Sequence, residues 1–200
     1  MDGTILPLME DFYTIQGEGF YRGTAAYFIR LAGCDVGCHW CDVKESWDAS
    51  VHPRVPIEEI AQRALAHSKT IIITGGEPLM YNLQPLTELL KSKGARTHIE
   101  TSGAQPLTGV WDWICLSPKK NKRPLPEVHQ RASELKMIIY NHHDFLFAEE
   151  MSALTQPDCI RYLQPEWSRR ERMVPLIVDY VMENPQWKIS LQMHKYLDIP

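Results

Sequence analysis

Three cysteines that lie close together are the residues whose type and spacing point most directly to chemistry. Cys34, Cys38 and Cys41 follow the pattern C-x3-C-x2-C, whereas Cys115 and Cys159 stand alone within apolar stretches. Three thiolates at this spacing can reach one metal centre. We interpret the two isolated cysteines as small buried hydrophobic residues.

Two kinds of metal centre are compatible with the three clustered cysteines. A zinc ion requires a fourth ligand, which His39 or His52 can supply. A [4Fe–4S] cluster held by three cysteines leaves one iron without a protein ligand and therefore open to a substrate. Structural zinc sites generally combine two short cysteine knuckles, and the sequence contains no second C-x2-C. We therefore favour the iron–sulfur cluster.

The elements that must position these cysteines alternate between short β-rich segments and amphipathic helical segments. Pro56 is predicted to begin a helix, Gly94 to end a second one, and Pro175 to mark the start of, or a kink in, the last. Helices are also predicted over residues 144–154 and 168–182. The predicted strands, rich in β-branched and aromatic residues, are 26–31, 70–74, 97–100, 111–116, 135–140, 160–164 and 187–192.

This alternation of strand and helix is typical of a parallel sheet with helices outside it. A complete barrel of eight such units usually needs about 250 residues. The chain has 200 residues, and no Gly-, Ser- or Pro-rich linker divides it. We therefore predict an α/β fold in one domain over residues 1–200. Its architecture is an incomplete, laterally open barrel of the (β/α)6 type, with parallel strands and outer helices.

Polar residues follow the predicted carboxyl ends of five strands. These clusters begin at Gly75, Glu100, Ser117, Gln164 and Gln192. Ligands of parallel α/β proteins bind at the carboxyl ends of the strands. The five clusters together predict a polar-lined active site.

Two motifs resemble those of the radical S-adenosylmethionine (SAM) superfamily. The segment from Cys34 to Cys41, with aromatic Trp40 before the third cysteine, is similar to the cysteine signature of these enzymes. Residues 74–78, Thr-Gly-Gly-Glu-Pro, are similar to their Gly-Gly-Glu motif after the second strand. The resemblance implies that SAM binds the open iron. One electron delivered to the cluster then cleaves SAM to methionine and a 5′-deoxyadenosyl radical.

Along nearly its whole length the chain is similar to the 7-carboxy-7-deazaguanine synthase family of the queuosine pathway. Segments 12–19, 33–42, 100–103, 117–119, 162–165 and 192–197 match in the family's order. The resemblance implies a carbon–nitrogen lyase that acts on 6-carboxy-5,6,7,8-tetrahydropterin. Hydrogen abstraction at C6 leads to ring contraction, loss of ammonia and 7-carboxy-7-deazaguanine, with SAM regenerated.

The same resemblance implies roles for residues at matching positions. The cluster ligands are Cys34, Cys38 and Cys41. Implied contacts to SAM are Trp40, Asp42, Gly75, Gly76, Glu77, Ser102, Ser117, Lys119 and Gln164. Implied contacts to the substrate are Ile15, Gln16, Gly17, Glu18, Arg30, Thr74, His194 and Pro200.

The chemistry of these residues leaves two alternatives open. Arg30 can bind a substrate carboxylate in a bidentate manner, or form a structural ion pair with Glu10 or Asp11. Residues 16–19 can read the donor edge of a pterin, or simply form a hairpin turn.

A departure from the family pattern concerns magnesium. Many members have threonine after Cys-Asp, and its hydroxyl is associated with a Mg²⁺ ion that bridges to the substrate. This chain has Val43, which offers no oxygen ligand. We expect Mg²⁺ to be dispensable here, or to be held by the substrate, water and other groups.

Composition constrains the partners. The net charge is −4, and 44% of residues are hydrophobic. A nucleic-acid binder is usually basic, so we expect a small-molecule substrate rather than direct nucleic-acid binding. No apolar run approaches the roughly 20 residues of a membrane span, and the first residues do not resemble a signal peptide. We expect a cytoplasmic protein, a homodimer formed near edge strands, and flavodoxin or ferredoxin as electron donor.

Two alternative functions remain at this point. One is a glycyl-radical enzyme activase, a compact radical SAM protein whose partner is a large protein. The other is a non-catalytic binding module stabilised by an iron–sulfur cluster or zinc.

Overall fold

A computed structural model describes residues 2–200, which form one nine-stranded sheet with six helices. The strands are β1 (Ile5–Ile15), β2 (Ala25–Leu31), β3 (Arg54–Pro56), β4 (Thr70–Gly75), β5 (Arg96–Thr101), β6 (Trp113–Leu116), β7 (Glu134–Ile139), β8 (Ile160–Pro165) and β9 (Trp187–Ile189). The helices are α1 (Ile57–His67), α2 (Gln84–Ser92), α3 (Pro126–Arg131), α4 (Asp144–Ser152), α5 (Arg170–Glu183) and α6 (Met193–Leu197).

The strand order across the sheet is β3-β1-β2-β4-β5-β6-β7-β8-β9. From β2 to β9 every neighbouring pair is parallel, whereas β1 pairs antiparallel with both β2 and β3. Within residues 2–200 the two ends of this order do not pair, so the sheet remains open. The predicted open parallel barrel is confirmed, with an antiparallel edge added.

All seven predicted strands coincide with parallel strands of the sheet. The sequence did not predict β1 and β3, which depend on antiparallel pairing at the edge. It also missed the short helices α3 and α6. The expected strand–helix alternation fails between β5 and β6, where the connection contains no helix. Pro175 lies inside α5, so the interpretation of Pro175 as a late helix start is wrong.

The predicted ends of two helices are confirmed by local chemistry. Pro56 precedes α1, whose buried residues recur at the spacing of one helical face and pack on the sheet. Glu58 and Glu59 lie in the first turn, where carboxylates interact favourably with the helix dipole. Gly94 ends α2 by adopting a φ of +76°, with its N–H donating to the carbonyl of Lys91.

The sheet has an apolar outer face and a polar inner face. Along β7, Leu135, Met137 and Ile139 are buried in the main core between sheet and helices. The alternating Lys136 and Ile138 line a cavity on the concave side. Cys115 and Cys159 are both buried, as predicted. Among the described residues, no helix is long and apolar enough to cross a membrane.

Candidate active site

The carboxyl ends of the parallel strands surround a cavity of about 470 Å³. All the site residues expected from the sequence line this cavity except Glu77. The five polar clusters after the strands therefore converge as predicted, because parallel strands deliver their carboxyl ends to one rim.

The three clustered cysteines lie on the loop that follows β2, half-buried at the cavity wall. This loop is anchored by hydrogen bonds from Gly33 N–H to the Ser46 carbonyl (2.6 Å) and from Cys34 N–H to the Trp47 carbonyl (3.2 Å). Burial raises the pKa of the Cys34 and Cys38 thiols, and negative charge on the neighbouring cysteines raises both further. The thiols are therefore close enough to interact electrostatically.

This donor set fits an iron–sulfur cluster. Among residues 2–200, no three or more His, Cys, Asp or Glu side chains converge as ligands of a single metal ion would. Cysteine ligands of a [4Fe–4S] cluster bind different irons and need not converge on one atom. The partly buried Lys119 ammonium lies close enough to Cys38 to lower the pKa of its thiol, and so favours the thiolate that iron requires.

Glu77 does not line the cavity, so its contact with SAM stays a prediction from the resemblance. The residue is 1% exposed, and its carboxylate accepts hydrogen bonds from Thr101 Oγ1 (2.6 Å), Ser102 N–H (2.8 Å), the Ser102 hydroxyl and Leu79 N–H (3.1 Å). Its own N–H donates to the Gly33 carbonyl (2.8 Å). Glu77 therefore braces the rim of β4 against β5 and the cysteine loop.

Gly75 and Gly76 allow the end of β4 to pack closely against the end of β2 and the cysteine loop. A Cβ on Gly75 would collide with the Leu31 carbonyl oxygen, and one on Gly76 with the Gly33 carbonyl oxygen and the Cys34 Cβ. Both glycines also line the cavity. Their lack of a side chain lets the end of β4 support the cysteine loop directly.

The floor of the cavity is a charged network that the sequence did not reveal. Lys136 Nζ lies 2.5 Å from Glu18 Oε2 and 2.6 Å from Glu100 Oε2. Gln16 Nε2 donates to Glu100 Oε1 (2.8 Å), and Gln192 Nε2 donates to Glu18 Oε1 (3.0 Å). The network joins the N-terminal loop to two strands and to the C-terminal segment.

Residues 16–24 connect β1 to β2, so the hairpin alternative for this segment is correct. The same loop also forms part of the cavity, since Ile15, Gln16, Gly17 and Glu18 line it. It is held from the C-terminal side by Met193 N–H, which donates to the Gly17 carbonyl (2.9 Å). The two interpretations of this segment are therefore compatible.

The chain end also reaches the cavity. Pro200 lines it, and its oxygen accepts a hydrogen bond from Thr14 Oγ1 (3.3 Å). His194 packs against Gly17, and burial lowers its pKa, which favours a neutral imidazole near pH 7. A neutral imidazole has one donor and one acceptor nitrogen.

Lys119 and Trp40 form the wall near the cysteines. Lys119 Nζ donates to the Ser117 carbonyl (2.5 Å) and hydroxyl (2.8 Å), and lies 5.6 Å from the centre of the Trp40 ring. Burial lowers the pKa of Lys119. Asp42 pairs with Lys195 at 2.7 Å across the opening.

Arg30 forms the ion pair that the sequence left open. Its Nε donates to Glu10 Oε1 at 2.7 Å, because β1 and β2 place these residues opposite each other. Arg30 still lines the cavity beside Thr74, its register partner on β4.

Sequence reasoning missed Lys136 and Trp167 as lining residues, whereas Gln192 and Lys195 belong to the last of the predicted polar clusters. For Lys136 a signal was present. A lysine at the centre of an apolar parallel strand, two residues after Glu134, indicates a strand face that turns toward a polar space.

Comparison with known proteins decides the family. A model of the radical SAM superfamily matches residues 28–115. The 7-carboxy-7-deazaguanine synthase of Flavobacterium psychrophilum is 61% identical over 198 residues, which is 99% of this chain and 94% of that protein. That of Synechocystis is 49% identical, covering 96% and 93%. The chain belongs to the 7-carboxy-7-deazaguanine synthase family.

A crystal structure supports this family assignment. QueE from Escherichia coli superimposes with a TM-score of 0.83 at 31% identity, covering 95% of each chain. Membership of the 7-carboxy-7-deazaguanine synthase family confirms the resemblance seen in the sequence. It decides against the two alternatives, a glycyl-radical enzyme activase and a non-catalytic binding module.

Proposed function

We propose that this chain, acting as a single radical SAM domain over residues 1–200, converts 6-carboxy-5,6,7,8-tetrahydropterin to 7-carboxy-7-deazaguanine and ammonia. The observation that carries the proposal is the convergence of three cysteines, a hydrogen-bonding floor and a cationic wall on one cavity. The names of the relatives agree with it.

The cysteine loop holds the cofactors. Cys34, Cys38 and Cys41 ligate a [4Fe–4S] cluster. The reduced cluster with SAM, when bound, supplies hydrogen-abstracting one-electron chemistry. The residues that contact SAM are Trp40, Asp42, Gly75, Gly76, Ser102, Ser117, Lys119 and Gln164, all of which line the cavity.

Arg30 and Lys119 supply positive charge to a cavity that receives carboxylates. Within residues 2–200, the Nε–H of Arg30 is the group engaged by Glu10, which leaves the N–H groups of its two terminal nitrogens for the substrate carboxylate. Thr74, next to Arg30 across the sheet, adds a hydroxyl donor.

The charged network at the floor of the cavity binds the end of the pterin that lies opposite its carboxylate. The amino and ring N–H groups at that end of the pterin donate hydrogen bonds, and the Glu18 carboxylate accepts them. Ile15, Gln16, Gly17, His194 and Pro200 complete this end of the cavity, so the 16–24 loop and the segment around Pro200 both define its shape.

Magnesium does not fit the position at which the family pattern places a hydroxyl ligand. Val43 lines the cavity and offers no oxygen. We assign Mg²⁺ no step. Turnover after EDTA treatment is expected to continue without added Mg²⁺. A strict, saturable Mg²⁺ requirement would contradict this.

Three further features belong to the same proposal: a cytoplasmic location, flavodoxin or ferredoxin as reductant, and a homodimer. Among the described residues the sheet ends at β3 on one side and at β9 on the other, and these edge strands support a contact between copies. Sedimentation equilibrium should give twice the chain mass, 46 kDa from 23.1 kDa per chain. A monomer would contradict the dimer alone.

The experiment that tests the function is anaerobic. The protein is reconstituted with iron and sulfide, then given dithionite, SAM and 6-carboxytetrahydropterin, and products are followed by mass spectrometry. We expect 7-carboxy-7-deazaguanine. Formation of 5′-deoxyadenosine without that product would retain radical SAM chemistry and reject the pterin. Formation of neither on a protein holding about four irons would reject the catalytic function.

A further inference from the structure

A buried lysine on the inner face of β7 connects two separate parts of the site. Lys136 is 4% exposed, and its ammonium bridges Glu18 on the 16–24 loop and Glu100 on β5. The three residues are far apart in sequence, so this contact depends wholly on the fold. The resemblance to known enzymes implies no role for Lys136.

The carboxylates of Glu18 and Glu100 can each accept further hydrogen bonds. Each oxygen of Glu18 and of Glu100 accepts one hydrogen bond, from Lys136, Gln192 or Gln16. A carboxylate oxygen can accept about two. Since both side chains line the cavity, the remaining acceptor positions are available to a ligand there.

The bridge formed by Lys136 also determines the ionisation state of the carboxylates it joins. Burial acts to raise the pKa of Glu18, but the charge and hydrogen bond of Lys136, helped by Gln192, outweigh it and lower that pKa to about 2. Burial likewise acts to lower the pKa of Lys136, yet the surrounding acidic groups raise it well above its usual value. Without the ammonium, two partly buried carboxylates would lie near each other, and one would bind a proton.

We propose that Lys136 is a positioning residue for substrate recognition, which bridges Glu18 and Glu100 so that both carboxylates accept N–H groups from the donor edge of the pterin. This inference rests on the proposed function. Lys136 acts through the two carboxylates and does not itself touch the reacting atoms.

Other titratable groups also face this network. On the strands, Glu134 and Cys115 act on Lys136, and Glu134 is held by the Phe20 N–H (2.9 Å). Around the cavity, Lys119, Asp42, Lys195 and His194 act on Lys136 or on Glu18 and its neighbours. None of these groups bridges Glu18 to Glu100.

The test measures the affinity for 6-carboxytetrahydropterin anaerobically, with SAM present and reductant absent, so that it does not depend on turnover. Lys136→Met is expected to weaken binding about 30-fold at about pH 6, the scale of a lost charge-assisted hydrogen bond. SAM affinity should change less than about 2-fold, because the ion pairs of Lys136 are to Glu18 and Glu100, neither of which is among the proposed SAM contacts. In turnover assays the loss should appear mainly in KM.

The pH dependence distinguishes positioning from a merely structural role. In the unsubstituted chain Glu18 is ionised throughout the assay range, so its contribution to binding is constant. In Lys136→Met the carboxylate pKa is no longer held down, so affinity should recover toward about pH 9 as the proton leaves. Lys136→Arg, which keeps the charge, should retain most of the affinity.

The matched control is Lys91→Met. Lys91 forms an ion pair of similar length, 2.6 Å to Asp112, on the outside of the barrel. The Lys91→Met variant should bind the pterin as tightly as the unsubstituted chain does at every pH. Equal, pH-independent loss in both lysine variants would overturn the inference.

A double-mutant cycle keeps the proposal falsifiable if Lys136→Met is too unstable to purify, since that variant leaves two partly buried carboxylates without their cation. Lys136→Met is then compared with Lys136→Arg in a Glu18→Gln, Glu100→Gln background, where the site carries neutral amides. There the choice of residue at 136 should alter pterin affinity by less than about 3-fold. A 30-fold effect persisting in this background would overturn the inference.

Failure of the proposed function has a different signature. If the unsubstituted, reconstituted protein does not bind the pterin at all, the function and the inference both fall. If it binds and converts the pterin while Lys136→Met behaves identically, only the inference falls.

Discussion

The two faces of the sheet differ sharply although the same strands build both. On the outer face, residues such as Ile29, Ile71, Ile73 and Ile99 are fully buried against helices. On the inner face, the neighbouring positions carry Arg30, Thr74, Glu100, Lys136 and Gln164, which line the cavity. Because side chains alternate along each strand, one face of the sheet packs in the hydrophobic core and the other face lines the active site.

This difference shows how the barrel tolerates buried charge. Each fully buried aliphatic side chain on the outer face contributes about 1.5–3 kcal/mol. Inner charges such as Lys136, which pairs with two carboxylates, and Arg30, which pairs with Glu10, have partners, because an unpaired buried charge would be costly. Changes on the inner face should therefore impair function more than stability, and changes on the outer face the reverse.

The largest effect is expected at the cysteine loop. Cys38→Ala should lower product formation by more than about 1,000-fold, because two thiolates do not hold the cluster, with little change in the unfolding of the metal-free protein. Iron content and product mass are the measurements. Cys159→Ala, buried elsewhere, is the control and should retain its iron. Full activity in Cys38→Ala would refute the assignment of this cysteine.

A core substitution tests the outer face. Ile73→Ala should reduce the free energy of unfolding by about 2–5 kcal/mol, because it leaves a cavity in the main core. The matched change Ile138→Ala, on the inner face and lining the active site, should cost less than about 1.5 kcal/mol. Urea denaturation measures both. Equal costs would show that the two faces do not differ in this way.

His98 on β5 is an exception, because it lies on the inner face but is expected to affect stability. It is buried on the inner face against Tyr21, and burial, assisted by Arg96, lowers its pKa to about 4. The unfolded chain binds the proton more readily, so stability falls as the pH drops from about 6.5 to about 4. The loss from this group is about 3 kcal/mol.

His98→Phe should remove that part of the pH dependence while preserving the ring packing. Urea denaturation at about pH 7 and about pH 4 measures the difference between the variants. An unchanged loss of stability on acidification would mean that His98 does not titrate in this window.

The smallest effect is expected at the exposed end of the inner face. Glu10→Gln breaks the ion pair with Arg30, and surface pairs contribute about 0–1 kcal/mol, so stability should scarcely change. Arg30→Met should instead weaken binding of the carboxylated pterin, but not of an analogue without the carboxylate. Equal weakening for both ligands would leave Arg30 with the structural role alone.

Much of the site was predictable because its signals are local. The cysteine spacing, the Gly-Gly-Glu segment and the polar residues after each strand all lie in short stretches, and all but Glu77 reach the cavity. β1 was not predictable in this way. It contains Pro7, Glu10 and Asp11, and it becomes a strand through pairing with β2 and β3.

The amino-acid sequence by itself determined the spacing of the three clustered cysteines, the parallel strands and the ends of helices such as the one that stops at Gly94, because periodicity and residue type act over a few positions. Only the tertiary structure decided that Glu77 is a brace, that Arg30 meets Glu10, and that Lys136 joins carboxylates 118 and 36 residues away. Those contacts depend on strand order and register, which bring distant residues together and which local spacing does not encode.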